Sequence, residues 1–116
     1  MRNSVLAAAV VAGALLLSGC ATAPQTTQQR LYALQAGYVE AVKQMADYEA
    51  RPRCGSDGAD PLTCSDAGIV KDMRAADDMA YLALVTAKQQ PSTDNVDTLE
   101  ADLRAFSALL VKGLSK

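Results

Sequence analysis

The sequence contains no histidine and no tryptophan, and its aromatic residues are one phenylalanine and four tyrosines among 116 residues. Histidine is the commonest general base in enzymes and the commonest side-chain ligand of transition metals, so two large classes of reactive site lack their usual residue. The chain also offers no glycine-rich phosphate loop, no Ser-His-Asp set and no pair of carboxylates isolated on an apolar face. We therefore expect a non-catalytic protein without a cofactor.

Clustered positive charge is also missing. Eleven lysine and arginine residues stand against 13 aspartate and glutamate residues, which gives a formal net charge of −2. Proteins that bind nucleic acid or adhere electrostatically to anionic lipid carry basic patches or runs. We therefore expect no nucleic-acid partner and no electrostatic attachment to a membrane.

The one long apolar stretch, residues 5–17, follows Arg2 and the amino terminus. It is shorter than the roughly 20 residues that a transmembrane helix needs, and it has the length of the hydrophobic region of a secretory signal. The stretch runs into the tetrapeptide Leu17, Ser18, Gly19 and Cys20. These four residues resemble the lipobox of bacterial lipoproteins, in which signal peptidase II cuts before a cysteine whose thiol has been acylated.

The lipobox resemblance implies that residues 1–19 are a signal peptide and that Cys20 is the first mature residue, bound to the lipid bilayer through its acyl chains. Ala21 rather than aspartate follows this cysteine. By the sorting rule of enteric lipoproteins, that residue implies an outer-membrane location facing the periplasm. The competing interpretation is a plain secretory signal cut at the Ala-x-Ala-like site of residues 21–23.

The mature part divides into a lipidated tether, residues 20–29, and one domain, residues 30–116. Within the domain, apolar residues recur every three or four positions in three segments, which predicts helices over about 28–51, 66–90 and 93–114. The three stripes are Leu31, Leu34, Tyr38, Ala41, Met45 and Tyr48; Ile69, Met73, Ala76, Ala80, Leu84 and Ala87; and Val96, Leu99, Leu103, Phe106, Leu110 and Leu114.

Three amphipathic helices of similar length predict an all-α fold, an antiparallel three-helix bundle in which the stripes meet at a common axis. Two alternatives remain open: a helical hairpin whose third helix packs on a partner, and an oligomeric coiled coil. Pro52 is expected to stop the first helix, Ser65 with Asp66 to cap the second, and residues 92–94 to cap the third.

Charged side chains and one glycine complete the helix predictions. The charged residues of segment 71–78, with Arg74 and Asp78 four positions apart, predict a solvated helix face, and Glu100 and Arg104 form a second pair with this spacing. Gly37 weakens the first helix locally or permits close approach of a neighbour.

Cys54 and Cys64 flank the one loop of the domain, residues 52–65, which contains two glycines and two prolines. They are the only cysteines left once Cys20 carries lipid, and the compartment outside the inner membrane is oxidising. We therefore predict a disulfide between them. Their spacing is not that of a thiol oxidoreductase, and two cysteines without histidine make a poor zinc site.

Two weaker metal hypotheses arise from the sequence. Asp57, Asp60 and Asp66 lie in or beside the loop, but their spacing does not match a calcium-binding EF-hand loop, and turn and capping roles account for them. Met45, Met73 and Met79 are the residues of a conceivable copper(I) site, but the first two fall on the apolar stripes, so core packing is the better account. We predict no metal site.

A second resemblance concerns the mature chain. Leu31, Tyr32 and Tyr38, the Pro52-x-Cys54 loop and the segment 77–81 are similar to those of small helical lipoproteins of Gram-negative envelopes, some of them encoded in prophages. That resemblance implies a fold rather than an activity.

The expected function is a non-catalytic interaction or structural module that contacts another envelope protein or the cell wall. Alternatives are a prophage exclusion or lysis accessory and, less favoured, a carrier of a small ligand or metal. The loop is the expected contact surface because it is extended, irregular and closed by the predicted disulfide. Its candidate contact residues are Arg53, Asp57, Asp60 and Leu62.

Overall fold

The computed structural model describes residues 25–115, in which three helices follow one another: α1 (Thr27–Glu49), α2 (Ala67–Gln89) and α3 (Thr93–Leu114). Every helix packs against the other two, and the only strand-like pairing among the described residues is an isolated bridge between Arg53 and Ser65. The predicted all-α three-helix bundle is confirmed. The predicted signal peptide, the lipobox of residues 17–20 and the lipidated Cys20 lie outside the described residues.

Helix α1 begins earlier than the sequence pattern indicated. The Thr26 hydroxyl accepts a hydrogen bond from the Gln29 backbone N–H at 3.2 Å, and the Gln29 side-chain oxygen accepts one from the Thr26 N–H at 3.0 Å. This reciprocal capping box satisfies two backbone donors that a helix start otherwise leaves unpaired. The predicted helix start at about residue 28 therefore holds to within one residue, and residues 27–29, assigned to the tether, form the first turn of α1.

Asp66 alone caps α2. Its side chain accepts from the Ile69 N–H at 3.0 Å, whereas the buried Ser65 hydroxyl donates to the Arg51 carbonyl at 3.0 Å. The expectation that Ser65 caps the helix was wrong because that residue bonds back to the end of α1. Ser92 caps α3 as predicted, with its hydroxyl accepting from the Asn95 N–H at 3.2 Å.

The predicted stripes form the core with one exception. Tyr48, Phe106 and Met73 are its largest fully buried side chains, and the alanines of α2 lie against the neighbouring helices. Leu114, predicted as the last residue of the α3 stripe, is 43 % exposed. Gly113 is buried in its place, at the same end of the bundle.

Among the helix glycines of the described chain, Gly113 is the one most tightly surrounded by neighbouring helices. A Cβ atom at this position would lie 2.6 Å from Met73 Cε and 3.3 Å from both Ile69 Cγ2 and Tyr48 Cε2. At Gly37 a Cβ would meet only Leu103 Cδ2, at an ordinary 3.4 Å. Close approach therefore depends on Gly113, which the sequence pattern did not single out, rather than on Gly37.

Polar side chains join α1 to α3 at the start of the bundle. The Arg30 guanidinium donates to Asp97 Oδ1 and to Glu100 Oε2, each at 2.7 Å, and Glu100 also pairs with Arg104. The hydrogen bonds to Asp97 and Glu100 raise the pKa of Arg30 above its ordinary value. The predicted Glu100–Arg104 pair is confirmed, and Arg30 extends it across two helices.

Candidate functional site

The loop between α1 and α2 is held closed by covalent and backbone contacts. Cys54 and Cys64 form a disulfide with their Cα atoms 4.9 Å apart, as predicted. Beside it, the Cys54 N–H donates to the Ser65 carbonyl at 3.0 Å and the Ser65 N–H donates to the Pro52 carbonyl at 2.9 Å. The two ends of the loop therefore run side by side between the end of α1 and the start of α2.

Between Cys54 and Cys64 the backbone makes two tight turns at glycines. Gly55 and Gly58 have φ angles of +85° and +78°, a left-handed conformation that side chains with a Cβ rarely adopt. Asp60 Oδ1 then accepts from the Leu62 N–H at 2.9 Å, the geometry of an Asx turn. These local contacts fix the loop's course although most of its residues are exposed.

The base of the loop rests on Tyr48 in the last turn of α1. This tyrosine is 1 % exposed, and its hydroxyl accepts the backbone N–H of Asp66 at 2.9 Å. The Arg51 guanidinium lies 5.2 Å from the centre of the Tyr48 ring, within the range of a cation–π contact. A core side chain therefore positions both the exit of α1 and the entry of α2.

An ion pair links the two helices next to the loop. Arg74 of α2 donates to both carboxylate oxygens of Glu49 of α1, at 2.8 and 3.0 Å. This hydrogen bonding holds the pKa of Glu49 below its ordinary value and raises that of Arg74. The expectation that Arg74 lies on a solvated face beside Asp78 was incomplete, because α1 supplies its partner.

All four predicted contact residues are exposed on the loop. Arg53 lies at the start of the closure, Asp57 between the two turn glycines, and Leu62 is 74 % exposed. Asp60 is also exposed, but one of its oxygens is engaged in the turn. The loop therefore presents a basic, an acidic and a large apolar side chain on a backbone with a fixed course.

A cleft of about 420 Å³ opens between the loop and the end of the helices. Sequence analysis did not identify it, because most of its walls come from residues that carry no recognisable motif. Its lining consists of Tyr48, Cys54, Gly55, Ser56, Ala59, Pro61, Cys64 and Asp66. Half of these residues are themselves exposed and only Tyr48 is buried, so the cleft is part of the loop surface rather than a chamber in the bundle core.

Among residues 25–115, no three histidine, cysteine, aspartate or glutamate side chains come close enough together to hold a metal ion. Asp60 takes the turn role and Asp66 the capping role expected of them. Met45 and Met73 are core residues, as predicted, whereas Met79 is 59 % exposed.

Comparison of the chain with models of protein families, with curated proteins and with solved structures gives no match. None of the helices α1 to α3 is both long and apolar enough to cross a bilayer.

Proposed function

We propose that the chain is a lipid-anchored protein of the bacterial cell envelope, held on the periplasmic face of the outer membrane by acylated Cys20. The observation that carries this proposal is the position of Cys20, directly after Leu-Ser-Gly at the end of the apolar stretch of residues 5–17. A plain secretory signal requires only small residues at its cut site, so a cysteine in this place is the more specific feature. The Cys54–Cys64 disulfide agrees with an oxidising compartment.

The anchored domain acts, in this proposal, as a non-catalytic module that recognises another envelope component through the loop of residues 52–65. A surface whose backbone is already fixed loses little conformational freedom on binding, which favours affinity. The backbone of the loop is fixed by the disulfide, by the two turn glycines and by the hydrogen bond from the Asp66 N–H to the Tyr48 hydroxyl. Arg53, Asp57 and Leu62 supply side chains of three chemical types for contact with a protein or with the cell wall.

The packing of the core supports surface recognition over carriage of a small molecule. Carriers enclose their ligand in a cavity of several hundred Å³ that is lined mostly by apolar groups. Here Phe106, Met73 and Leu99 fill the bundle axis with no solvent exposure. The cleft beside the loop is lined mainly by turn residues of the loop itself.

Crosslinking in intact cells tests the loop as the contact surface. In the loop variant, Arg53, Asp57 and Leu62 are each replaced by Ser, and Asp60→Asn keeps the side-chain oxygen that holds the turn. We expect this variant to lose the main crosslinked partner of the wild-type protein at equal protein level.

The matched control carries substitutions of one basic, two acidic and one large apolar residue outside the loop, all of them exposed. These are Lys88→Ser, Asp72→Ser, Asp78→Ser and Val111→Ser. The control should keep the wild-type crosslinking profile. An unchanged profile in the loop variant would rule out the loop as the contact surface.

A further inference from the structure

Large apolar side chains are exposed on the outer surfaces of α1 and α2, between the middle of the bundle and one of its ends. Tyr32 and Val39 of α1 are 64 % and 62 % exposed, and Met79, Tyr81 and Leu82 of α2 are 58–64 % exposed. We refer to these five residues as the α1–α2 patch. They make up most of the exposed large hydrophobic residues in the described part of the chain.

Contacts of Tyr38 show that the two parts of the patch lie at the same level of the bundle. The Tyr38 hydroxyl donates to Asp77 Oδ1 at 2.7 Å, and the Tyr38 ring centre lies 6.4 Å from that of Tyr81. Burial raises the pKa of this hydroxyl, and the bond to Asp77 adds to the shift. Val39 is the next residue on α1, so its level matches that of the exposed α2 residues.

Most of the second half of helix α2, residues 79–87, is apolar on every side. Residues 79–87 contain no charged side chain, and Thr86 is the only polar residue among them. Ala80, Leu84 and Ala87 face the core, while Met79 and Leu82 face away from it. Met79 and Leu82 also line a cavity of about 210 Å³ together with side chains of α3, so the patch continues around α2 toward that helix. A helix that is apolar all round is ordinarily covered on all sides, and an exposed apolar helix face indicates a binding surface.

The position of the patch indicates what covers it. Helix α1 begins at Thr27 and α2 ends at Gln89, so the chain from Cys20 arrives at the end of the bundle that these two residues form. The patch extends from near that end to the middle of the bundle, where Val39 and Met79 lie. The segment from Cys20 to Thr27 spans at most about 20–25 Å even when fully extended. The loop of residues 52–65 lies at the opposite end of the bundle, about 35 Å from Thr27 along the 23-residue helix α1.

We propose that the α1–α2 patch rests on the surface of the lipid bilayer and orients the bundle so that the loop is presented away from the anchor. This inference rests on the proposed lipid anchor at Cys20, which keeps the patch next to the membrane. Tyrosine rings favour the membrane–water interface, and apolar helix faces bury about 5–10 Å into it.

The contact is apolar rather than electrostatic. Asp77 and Asp78 lie beside the patch, and Lys88 is the only lysine in the second half of α2. Anionic lipid would therefore not strengthen the contact, and a zwitterionic bilayer is the appropriate probe.

The test uses single tryptophans, because the chain has none of its own. The mature chain, residues 20–116 with the disulfide intact, is coupled through the Cys20 thiol to a maleimide lipid in phosphatidylcholine vesicles. One variant carries Leu82→Trp in the patch, and the control carries Val111→Trp at a position of similar exposure, 64 % against 66 %, near the other end of the bundle. Circular dichroism checks that both variants fold.

We expect emission of the L82W variant to shift to shorter wavelength on the vesicles and to lose intensity when the acyl chains are brominated. Emission of the V111W variant should do neither. Adding Met79→Ser and Tyr81→Ser to L82W should restore most of the lost intensity. The proposal would be overturned if L82W and V111W showed the same wavelength shift and the same intensity change on the vesicles, whether both were quenched or neither was.

A second copy of the chain is the competing occupant of the patch. If the emission of L82W shifts with protein concentration in the absence of lipid while sedimentation shows a dimer, a second copy covers the patch and the membrane proposal fails. Because the anchor in this experiment is chemical, its result does not depend on lipidation in cells. Failure of the patch and failure of the anchor are therefore distinguishable.

Discussion

The hydroxyl of Tyr48, at the end of α1, accepts the backbone N–H of Asp66, the residue that caps α2. One buried side chain thus sets where the first helix ends and where the second begins. The same ring lies against Arg51 and lines the cleft beside the loop. The bundle core and the candidate contact surface are therefore coupled through this residue.

Tyr48→Phe tests that coupling. The variant keeps the buried ring but removes the acceptor for the part-buried Asp66 N–H, and a hydrogen bond of this kind contributes about 0.5–1.5 kcal/mol. Urea unfolding should show a loss of this size in the free energy of unfolding. Tyr32→Phe, at a tyrosine that is 64 % exposed, is the control and should leave stability unchanged. Equal stability of Y48F and wild type would mean that the bond contributes nothing.

The disulfide should contribute a substantial part of the domain's stability. Replacing both Cys54 and Cys64 by Ser opens a loop whose ends are 10 residues apart in sequence. The chain-entropy model predicts a loss of about 2.5–3 kcal/mol in the free energy of unfolding for a loop of this size. Reductant should destabilise the wild-type protein by a similar amount and leave the double variant unaffected. Alkylation of both thiols without prior reduction would show instead that no disulfide forms.

The two helix glycines predict substitution effects of opposite sign. Gly113→Ala places a methyl group 2.6 Å from Met73 Cε, the flexible end of a fully buried side chain, which must shift within the core. We expect a cost of about 1 kcal/mol, the low end for overpacking of a core. Near the end of α3 the gain in helix propensity is too small to offset this. Gly37→Ala meets only an ordinary contact in mid-helix, so it should stabilise the fold by about 0.5–1 kcal/mol. Thermal unfolding of the two variants checks both signs, and stabilisation by G113A would contradict the close approach.

The Glu49–Arg74 pair predicts part of the acid sensitivity. The pKa of Glu49 is lower in the folded protein than its ordinary value of 4.5, so the unfolded chain binds more protons there. Its contribution to stability is present above pH 4.5 and is lost as the pH falls through the folded pKa. Between pH 7 and pH 3, Glu49→Gln should therefore lose less free energy of unfolding than the wild type.

Glu40→Gln is the control for this comparison, since it replaces a carboxyl that contacts the Gln44 amide rather than an arginine. It should follow the wild-type pH dependence. Identical pH profiles for E49Q and wild type would show that the ion pair does not affect stability.

Apolar periodicity sufficed to predict the helices and nearly all of the core. Leu31, Met73 and Phe106 are buried where their stripes place them, because helical spacing puts such residues on one face whatever their neighbours are. The disulfide prediction followed from counting the cysteines and from the proposed oxidising compartment. The same logic has no means of detecting Gly113, since a missing side chain matters only once the opposing helix is in place.

Contacts between elements were the least predictable part of the site. The acceptor role of Tyr48, the Arg74–Glu49 pair and the Tyr38–Asp77 bond each join residues on different helices. Spacing within a single helix suggested Asp78 as the partner of Arg74, and a capping role for Ser65. In both cases a neighbouring helix or its end provided the partner instead.

The lipid anchor at Cys20 is the central claim, and the most direct measurement of it is mass spectrometry of the mature amino-terminal peptide from the membrane fraction. We predict a peptide that begins at Cys20 and carries the mass of acyl chains, with Cys20→Ser abolishing both this cleavage and recovery of mature protein with the membrane. A mature chain that begins at Pro24 without added mass, or a C20S variant that is still processed and still recovered with the membrane, would contradict the account.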